Sequence, residues 1–247
     1  MSVVADLRIL WHLLLTPIRG DTHSERLESF YRGQAAGYDS FRSRLLPGRQ
    51  QLYNALNVPS GGRWIDMGGG TGSNLEHLGN RLPQLAELFL VDLSPSLLEI
   101  ARQRVAEHRW SNVRICQADA TSFQPPGETV DVVTFSYSLT MIPNWFAALE
   151  QAWRLLKPGG WIGVVDFYVS RKHAGKSLAQ HGWLTRTFWP AWFAMDNVLL
   201  SADHLPLLQS RFVAEWLIEG RSQVPYLPLG RVPYYIFIGR KSEFASR

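Results

Sequence analysis

One glycine-rich segment constrains the fold of this chain more than any other feature. Residues 64–74 read Trp-Ile-Asp-Met-Gly-Gly-Gly-Thr-Gly-Ser-Asn, an apolar stretch that runs into four glycines within five positions. This pattern predicts a buried strand, a tight turn and a helix that begins at Ser73 or Asn74. Such turns bring backbone closer to a ligand than side chains would allow. The segment therefore predicts a ligand site, with an ordinary strand-to-helix turn as the alternative.

The spacing of an acid and the glycines narrows the ligand. A dinucleotide-binding fingerprint needs a third glycine where this chain has Ser73. The pattern present is D-x-G-x-G-x-G, formed by Asp66, Gly68, Gly70 and Gly72. It resembles the first motif of the class I S-adenosylmethionine-dependent methyltransferases. The resemblance implies S-adenosylmethionine as the cofactor, with the glycines under its methionine and ribose parts and Asp66 near its amino group.

Two further acids follow apolar runs. Residues 86–92 end in Asp92, which is typical of a buried parallel strand with a ligand group at its carboxyl end. The offset from Asp66 suits an acid that accepts from ribose hydroxyls, while Ser94 before Pro95 also suits the start of a helix. Residues 113–120 predict a third strand followed by Asp119, which the resemblance places beside the adenine.

The remaining strands complete an α/β fold. Residues 130–135 predict a fourth strand, and a helix over residues 145–156 stops at Leu-Lys-Pro-Gly-Gly before a fifth strand at residues 161–166. Residues 212–218 and 234–239 predict a closing antiparallel pair. The expected fold is a Rossmann-like seven-stranded methyltransferase sheet, mostly parallel with an antiparallel last strand, flanked by helices. Residues 51–247 are expected to form this domain, and residues 1–50 a helical arm and cofactor lid.

The amino-terminal arm contains an apolar segment at residues 3–18 that is broken by Asp6, Arg8 and His12. It is too short and too polar to span a bilayer, and no small-residue cleavage site marks it as a signal peptide. A helix lying in the membrane interface, with Trp11 as anchor, is one interpretation. A helix packed on the domain or on a partner subunit is the other.

The second half of the arm offers candidate site residues. Tyr31 and Tyr38 lie seven apart, so they share one face of a helix. They are either core residues or, as in many methyltransferases, a cover for the cofactor. Arg44 and Arg49 are candidates to hold a carboxylate in bidentate fashion, with solvated surface arginines as the alternative.

Residues 168–206 leave the repeating strand-helix pattern. Aromatic side chains alternate there with cations: Trp183, Phe188, Trp189, Trp192 and Phe193, with Arg171, Lys172, His173, Lys176 and Arg186. Such a mixture favours a lid that touches substrate or membrane lipid, and a lid packed on its own domain is the alternative. No stacking platform for nucleic acid is recognisable.

The composition indicates the kind of partner and the cellular compartment. The net charge is +4, the pI is about 9.4 and ten tryptophans are present, which together favour an anionic membrane over nucleic acid as a partner. A single cysteine, Cys116, excludes an internal disulfide and fits a reducing compartment. No zinc spacing is present, and no metal is predicted. The expected location is cytoplasmic and peripheral at the membrane.

Longer runs are similar to the methyltransferase part of betaine-lipid synthases. They lie at residues 7–12, 22–31, 38–49, 196–198, 224–226 and 232–235, together with the glycine turn. The resemblance implies three successive methyl transfers to the nitrogen of diacylglyceryl homoserine, and a separate enzyme that attaches the aminocarboxypropyl group. The alternatives are another lipid amine such as phosphatidylethanolamine, a quinone or small molecule, or a cofactor-binding scaffold without catalysis.

The resemblance and the strand ends together predict three sets of site residues. Tyrosine rings favour cationic sulfur and a quaternary ammonium, Asp166 is expected to steer the amine or to serve structure, and His173 is a weaker candidate base. The catalytic candidates are Tyr31, Tyr38, Tyr137, Asp166 and His173. The cofactor-binding candidates are Tyr38, Arg49, Asp66, Gly68, Gly70, Gly72, Asp92, Leu93, Asp119, Ala120 and Ser136. The substrate-binding candidates are Arg44, Ser138 and Trp189.

Overall fold

The computed structural model describes Glu25 and residues 46–127, 129–175, 177–195, 197–223 and 230–243. The predictions for Tyr31, Tyr38, Arg44 and the membrane segment at residues 3–18 therefore lie outside the described residues. Within the described ranges, no helix is both long and apolar enough to cross a bilayer.

Seven strands form a single sheet. Their order across the sheet is β3-β2-β1-β4-β5-β7-β6, and β7 alone runs antiparallel to its neighbours. This arrangement confirms the predicted fold class. The strands are β1 (Arg63–Met67), β2 (Glu87–Asp92), β3 (Val113–Gln117), β4 (Val130–Ser136), β5 (Leu156–Phe167), β6 (Val213–Gln223) and β7 (Arg231–Arg240).

Helices connect and cover these strands. The described α-helices are α1 (Arg49–Ala55), α2 (Pro95–His108), α3 (Trp145–Leu155), α4 (Trp183–Ala194) and α5 (His204–Arg211). Two 3₁₀ helices span Ser73–Gln84 and Leu139–Met141. The first begins at the predicted residue, but Gly79 interrupts it with non-helical angles.

Local chemistry explains where α2 begins. The Ser94 hydroxyl accepts from the backbone N–H of Leu97, and Pro95 occupies the first turn, where its missing N–H has no consequence. The helix-start signal in this region is therefore realised by Ser94, and Asp92 precedes it as the last residue of β2.

Three boundaries differ from the expectation. β5 already begins at Leu156, so the Lys-Pro-Gly-Gly stretch belongs to the strand, and the β4–β5 pairing shifts register between Val130 and Val132. The last two strands reach to Gln223 and start again at Arg231, closer than predicted. Cross-strand pairing extends both strands over residues whose own composition indicates a turn.

Two apolar layers sandwich the sheet. On one face α1 and α4 contribute Leu52, Tyr53, Trp189 and Phe193 to one core cluster. On the other face α3 and α5 contribute residues such as Leu149 to the second cluster. The strand order reverses between β1 and β4, and the carboxyl ends of strands at such a reversal form a crevice where ligands bind.

Candidate functional site

A cavity of about 360 Å³ lies at the carboxyl ends of β1, β2 and β4. Ten of the predicted site residues contribute to its lining: Arg49, Gly68, Gly70, Asp92, Leu93, Asp119, Ala120, Ser136, Tyr137 and Ser138. The structure thus brings into one place residues from five separate parts of the chain.

The glycine turn forms one wall of the cavity. Gly68 has a φ of 70°, and a Cβ added there would lie 2.4 Å from the Cβ of Ser138. Gly72 has a φ of 72°, and its Cβ would lie 2.9 Å from Leu90 Cδ1. Only glycine meets both the left-handed angle and the close approach at these positions. Gly72 itself is not part of the cavity lining, so the structure gives it the role of closing the turn onto β2.

Asp66 lies beneath the turn and not on the cavity lining. Its side chain is fully buried, and its Oδ1 accepts hydrogen bonds of 2.7 Å from the Tyr53 hydroxyl and from Thr134 Oγ1. Burial raises the pKa of Asp66, while hydrogen bonds from Tyr53, Thr134 and Asn74 oppose that rise. A direct contact with the cofactor's amino group stays a prediction, and the contacts that the structure shows support the turn from below.

Asp92 ends β2 at the rim of the turn. Its Oδ2 accepts from the N–H of Gly70 at 2.9 Å, and its Oδ1 accepts from the N–H of Ser94 at 2.9 Å. These two bonds fix the carboxylate between the glycine turn and the start of α2. The side chain remains partly exposed to the cavity, which is the placement that the ribose assignment requires.

Asp119 follows β3 on the same side of the cavity. Its Oδ1 accepts from both the N–H and the hydroxyl of Thr121 at 2.8 Å. This local turn holds the exposed carboxylate at the cavity beside Ala120. Thr121 also lines the cavity and was not a sequence candidate.

The floor of the cavity comes from residues 136–138. Tyr137 has a φ of 55°, an uncommon left-handed angle for a residue with a bulky side chain. Its hydroxyl donates a 2.7 Å hydrogen bond to the carbonyl of Pro47, and burial raises its pKa. Ser138 Oγ donates to the Met67 carbonyl at 2.8 Å. The floor is thereby tied to the segment before α1 and to the end of β1.

Arg49 enters the cavity from the first turn of α1. Its Nη1 lies 3.4 Å from Oδ1 of Asn74, at the start of the 3₁₀ helix that follows the glycine turn. A guanidinium at this position suits a carboxylate bound next to the turn.

Besides Asp66 and Gly72, three further predicted residues are not part of the cavity lining: Asp166, Trp189 and His173. Asp166 is fully buried and accepts from Thr140 N, Thr140 Oγ1 and Phe167 N, so the structure favours its structural alternative over steering an amine. Trp189 is 4% exposed, packs on Phe193 and is not part of the cavity lining, so its contact with substrate stays a prediction.

His173 lines a different cavity of about 270 Å³, between the end of β5 and α5. None of the residues that line it is shared with the larger cavity. A role as base for chemistry in the larger cavity therefore has no geometric support.

Sequence reasoning missed several lining residues. They are Leu46, Gly69, Thr71, Ser73, Asn74, Val91, Leu97, Ala118, Thr121, Met141, Ile142, Pro143 and Asn144. Those in the glycine segment and next to Asp119 were readable as neighbours of predicted positions. Residues 141–144 carry no motif, because their place in the cavity comes from the short 3₁₀ helix after β4 and from the Thr140–Asp166 contact.

Comparison with known proteins agrees with this geometry. Residues 65–160 match the sequence profile of the family described as a methyltransferase domain. The match supports the predicted enzyme class, S-adenosylmethionine-dependent methyltransferase, and its cofactor.

A curated relative is the ubiquinone/menaquinone biosynthesis C-methyltransferase UbiE of Pseudomonas savastanoi pv. phaseolicola. It is 30% identical over 150 residues, which cover 58% of this chain and 59% of the relative. The chain thus matches less than two thirds of the relative's length.

Solved structures share the fold at low sequence identity. The N-methyltransferase NodS from Bradyrhizobium japonicum, in complex with S-adenosyl-L-homocysteine, has a TM-score of 0.63 at 16% identity, over 87% of this chain and 97% of that chain. The [4+2]-cyclase SpnF has a TM-score of 0.66 at 18% identity, over 91% of this chain and 98% of that chain. These similarities confirm the architecture and leave the chemistry to the site itself.

The residues present fit a nucleoside cofactor. Ser136 Oγ is buried at the cavity and has no hydrogen-bond partner within the described part of the chain, so a ligand group would satisfy it. Asp92 and Asp119 supply acceptors at the ends of neighbouring strands. Within the same described residues, no cluster of histidine, cysteine or acidic side chains suits a metal ion.

Proposed function

We propose that this protein binds S-adenosylmethionine in the 360 Å³ cavity and transfers its methyl group to a lipid amine. The observation that carries the proposal is the alignment of the Gly68–Gly70 turn with the carboxylates of Asp92 and Asp119 along one cavity. The two acids accept hydrogen bonds and have no donors, so they suit ribose hydroxyls and an exocyclic amine. The glycine backbone allows the ligand to approach more closely than any side chain would.

The cofactor and the protein side chains have different roles in the proposed reaction. The cofactor supplies an electrophilic methyl group on a cationic sulfur. The chain's own residues bind, orient and desolvate: Asp92 and Asp119 fix the nucleoside, and Arg49 suits a carboxylate at the other end. Tyr137 lines the floor, and we assign to its aromatic ring the stabilisation of positive charge.

The lining of the cavity favours nitrogen as the acceptor atom. Among the described lining residues there is neither a histidine nor a lysine to act as a general base. A neutral amine needs none for the attack itself, because it carries the lone pair. A free α-amino group has a reference pKa near 8, so roughly a tenth of it is neutral at pH 7. Positioning at attack distance is then the main requirement.

For the acceptor we assign diacylglyceryl homoserine, methylated three times. The support is the similarity of the sequence runs to betaine-lipid synthases, the presence of Arg49 on the cavity lining, and the apolar lining residues Met141, Ile142 and Pro143. A separate enzyme would attach the aminocarboxypropyl group. The protein then works at the cytoplasmic side of a membrane, with its amino-terminal arm on the anionic surface.

A second candidate is methylation of a quinone precursor at carbon. It is favoured by the 30% identity to the C-methyltransferase UbiE. Methylation at carbon requires a base that removes a proton from the acceptor, whereas the attack of a neutral amine does not. The two candidate reactions therefore require different groups in the site. The cyclase SpnF shows that a similar fold also carries other chemistry.

The test uses purified full-length protein and methyl-labelled S-adenosylmethionine. Diacylglyceryl homoserine, phosphatidylethanolamine and a quinol precursor are supplied in separate detergent-dispersed pools. Label in the first pool is expected, in products with one, two and three methyl groups. Label in only the second or third pool overturns the assigned acceptor, and label in none supports a scaffold. The Asp203→Asn variant serves as control, because Asp203 pairs with Arg171 at an exposed site outside the cavity lining.

A further inference from the structure

Helix α4 exposes an apolar face. Trp183 is 68% exposed, Leu184 69%, Phe188 45% and Met195, just after the helix, 59%. At 3.6 residues per turn these positions fall on one side of the helix. The other exposed positions on that side are Thr187, Ala191 and Ala194, and the Thr187 hydroxyl bonds back to the Trp183 carbonyl. The exposed face thus carries no charge.

The opposite face of α4 is mainly apolar, and the one charged residue on that side is Arg186, whose Nε is buried. Trp189 and Phe193 are 4% and 6% exposed and belong to the core cluster on that side of the sheet. A surface helix ordinarily places polar residues opposite its buried face. A helix that is apolar on both faces indicates that the outer face meets a second apolar phase.

An aromatic row links this outer face to the cavity. Ring centroids are 4.7 Å apart for Tyr137 and Phe167, 5.1 Å for Phe167 and Phe193, and 5.9 Å for Phe193 and Trp189. Phe188 extends the row from Trp189 to the exposed face, at 5.1 Å. Tyr137 lines the cavity floor, so apolar contact is continuous from the exposed face to the site where methyl transfer is proposed.

Tryptophan and the charge of the chain favour a bilayer as this second apolar phase. Lys172 is exposed in the segment that leads toward α4, and Arg171, also exposed there, pairs with Asp203. Tryptophan at the edge of an apolar face and cations next to it are typical of proteins that rest in the headgroup region of a bilayer. The net charge of +4 acts in the same direction on anionic lipid.

We propose that the outer face of α4 inserts into the interfacial layer of an anionic bilayer, and that the buried aromatic row behind it connects this face with the cavity floor at Tyr137. The biological reason for this membrane contact rests on the proposed function, in which the acceptor is a lipid amine. Contact with the bilayer itself is testable without any acceptor. A second copy of the chain, or its own residues 1–45, would be the competing occupants of this face.

The experiment is vesicle flotation of the full-length protein. Vesicles contain phosphatidylcholine with or without phosphatidylglycerol and no acceptor lipid. The wild type is expected to float with the anionic vesicles. Phe188→Ser is expected to weaken partitioning by roughly tenfold, since it removes a large apolar side chain from lipid. The triple variant Trp183→Ser, Leu184→Ser, Phe188→Ser is expected to float far less than the wild type, even though it retains its amino-terminal arm.

Two matched controls come from exposed apolar residues elsewhere. Phe146 on α3 is 49% exposed and Val213 on β6 is 57% exposed. Phe146→Ser and Val213→Ser are expected to float like the wild type. Calorimetric binding of S-adenosylhomocysteine is expected to be equal in all variants and shows that each variant is folded. If the triple variant does not fold, the flotation of the single Phe188→Ser variant decides the test.

Three results would overturn the proposal. The first is a wild type that does not float. The second is flotation that the α4 substitutions leave unchanged, as expected if residues 1–45 cover this face. The third is a wild-type dimer in sedimentation that the triple variant separates, which would assign the face to a second copy. A negative flotation result does not change the outcome of the methyl-label assay, because that assay uses detergent-dispersed acceptors. The failure of this proposal is therefore distinguishable from the failure of the proposed function.

Discussion

The Tyr53 hydroxyl donates a 2.7 Å hydrogen bond to Oδ1 of Asp66, and neither side chain has any exposed surface. Tyr53 lies on α1 and Asp66 on β1, and the ring of Tyr53 stacks on Trp64 at a centroid distance of 5.7 Å. The pair holds the first helix against the strand that leads into the glycine turn. A change at Tyr53 therefore acts on the cofactor site from a position outside its lining.

We expect Tyr53→Phe to lower the free energy of unfolding by about 1–3 kcal/mol, because a buried carboxylate loses a donor. The matched control is Tyr235→Phe. Tyr235 is equally buried, and its hydroxyl has no hydrogen-bond partner in the described part of the chain, so its removal is expected to be neutral or stabilising. Urea unfolding of both variants makes the comparison, and equal losses would refute the importance of the Tyr53–Asp66 bond.

The turn itself is tested by Gly68→Ala. A Cβ at this position adds a 2.4 Å contact with Ser138 to the strain of a positive φ. Gly61 has a similar φ of 72° with open space around it, so Gly61→Ala measures the angle alone, at about 1–2 kcal/mol. We expect Gly68→Ala to cost about 1–3 kcal/mol more than Gly61→Ala in urea unfolding. The double variant Gly68→Ala, Ser138→Gly is expected to recover part of that difference, and no recovery would contradict the steric explanation.

The sequence sufficed for this part of the site because its information is local. The glycines, Asp92 and Asp119 all follow apolar runs, and parallel strands bring their carboxyl ends to one edge. The partners of Asp66 are different, since Tyr53 and Thr134 lie 13 and 68 residues away from it. Nothing in the spacing of those residues indicates that they meet.

The less accurate predictions have a common physical reason. Asp166 was placed correctly on β5, but the strand pattern does not say that Thr140 would turn back and occupy its oxygens. The sequence places Trp189 in the insertion at residues 168–206, but its burial depends on how helix α4 packs against Phe167 in the core. Tertiary packing decides both, and it is not encoded in local spacing.

The ribose assignment predicts a specific loss in Asp92→Asn. The carboxylate becomes an amide of the same size, so charged hydrogen bonds to a ligand disappear. One of the two bonds from the N–H groups of Gly70 and Ser94 is lost with them, because an amide nitrogen cannot accept. Hydrogen bonds to a charged group contribute about 1.5–3 kcal/mol, which corresponds to a 10- to 100-fold weaker affinity. Calorimetric titration with S-adenosylhomocysteine is the measurement, with Asp203→Asn as a control at wild-type affinity. Unchanged binding to Asp92→Asn would refute the assignment.

Two substitutions at Tyr137 separate its ring from its hydroxyl. Tyr137→Phe removes the bond to the Pro47 carbonyl but keeps an aromatic face on the cavity floor. Tyr137→Leu removes both. If the ring stabilises the cationic sulfur and the methylated nitrogen, kcat is expected to fall roughly 2- to 30-fold further in the leucine variant than in the phenylalanine variant. Equal kcat values in single-turnover methylation would show that the ring has no such role.

Asp166 predicts a distinctive dependence of stability on pH. Burial raises the pKa of its carboxyl group from 3.8 to about 7, against the hydrogen bonds from Thr140 and Phe167 that favour the carboxylate. Between these two values the folded protein holds a proton that the unfolded chain has released. The free energy of unfolding therefore decreases as pH rises through this window, by up to about 1.4 kcal/mol per pH unit from this group. Asp166→Asn cannot titrate, so its stability relative to the wild type is expected to improve steadily from pH 4 to pH 7 and to stay constant above. Urea unfolding of both proteins across this range measures the difference, in which the contributions of the other titrating groups cancel. A difference that does not change with pH would show that Asp166 is already ionised at pH 4 in the folded protein.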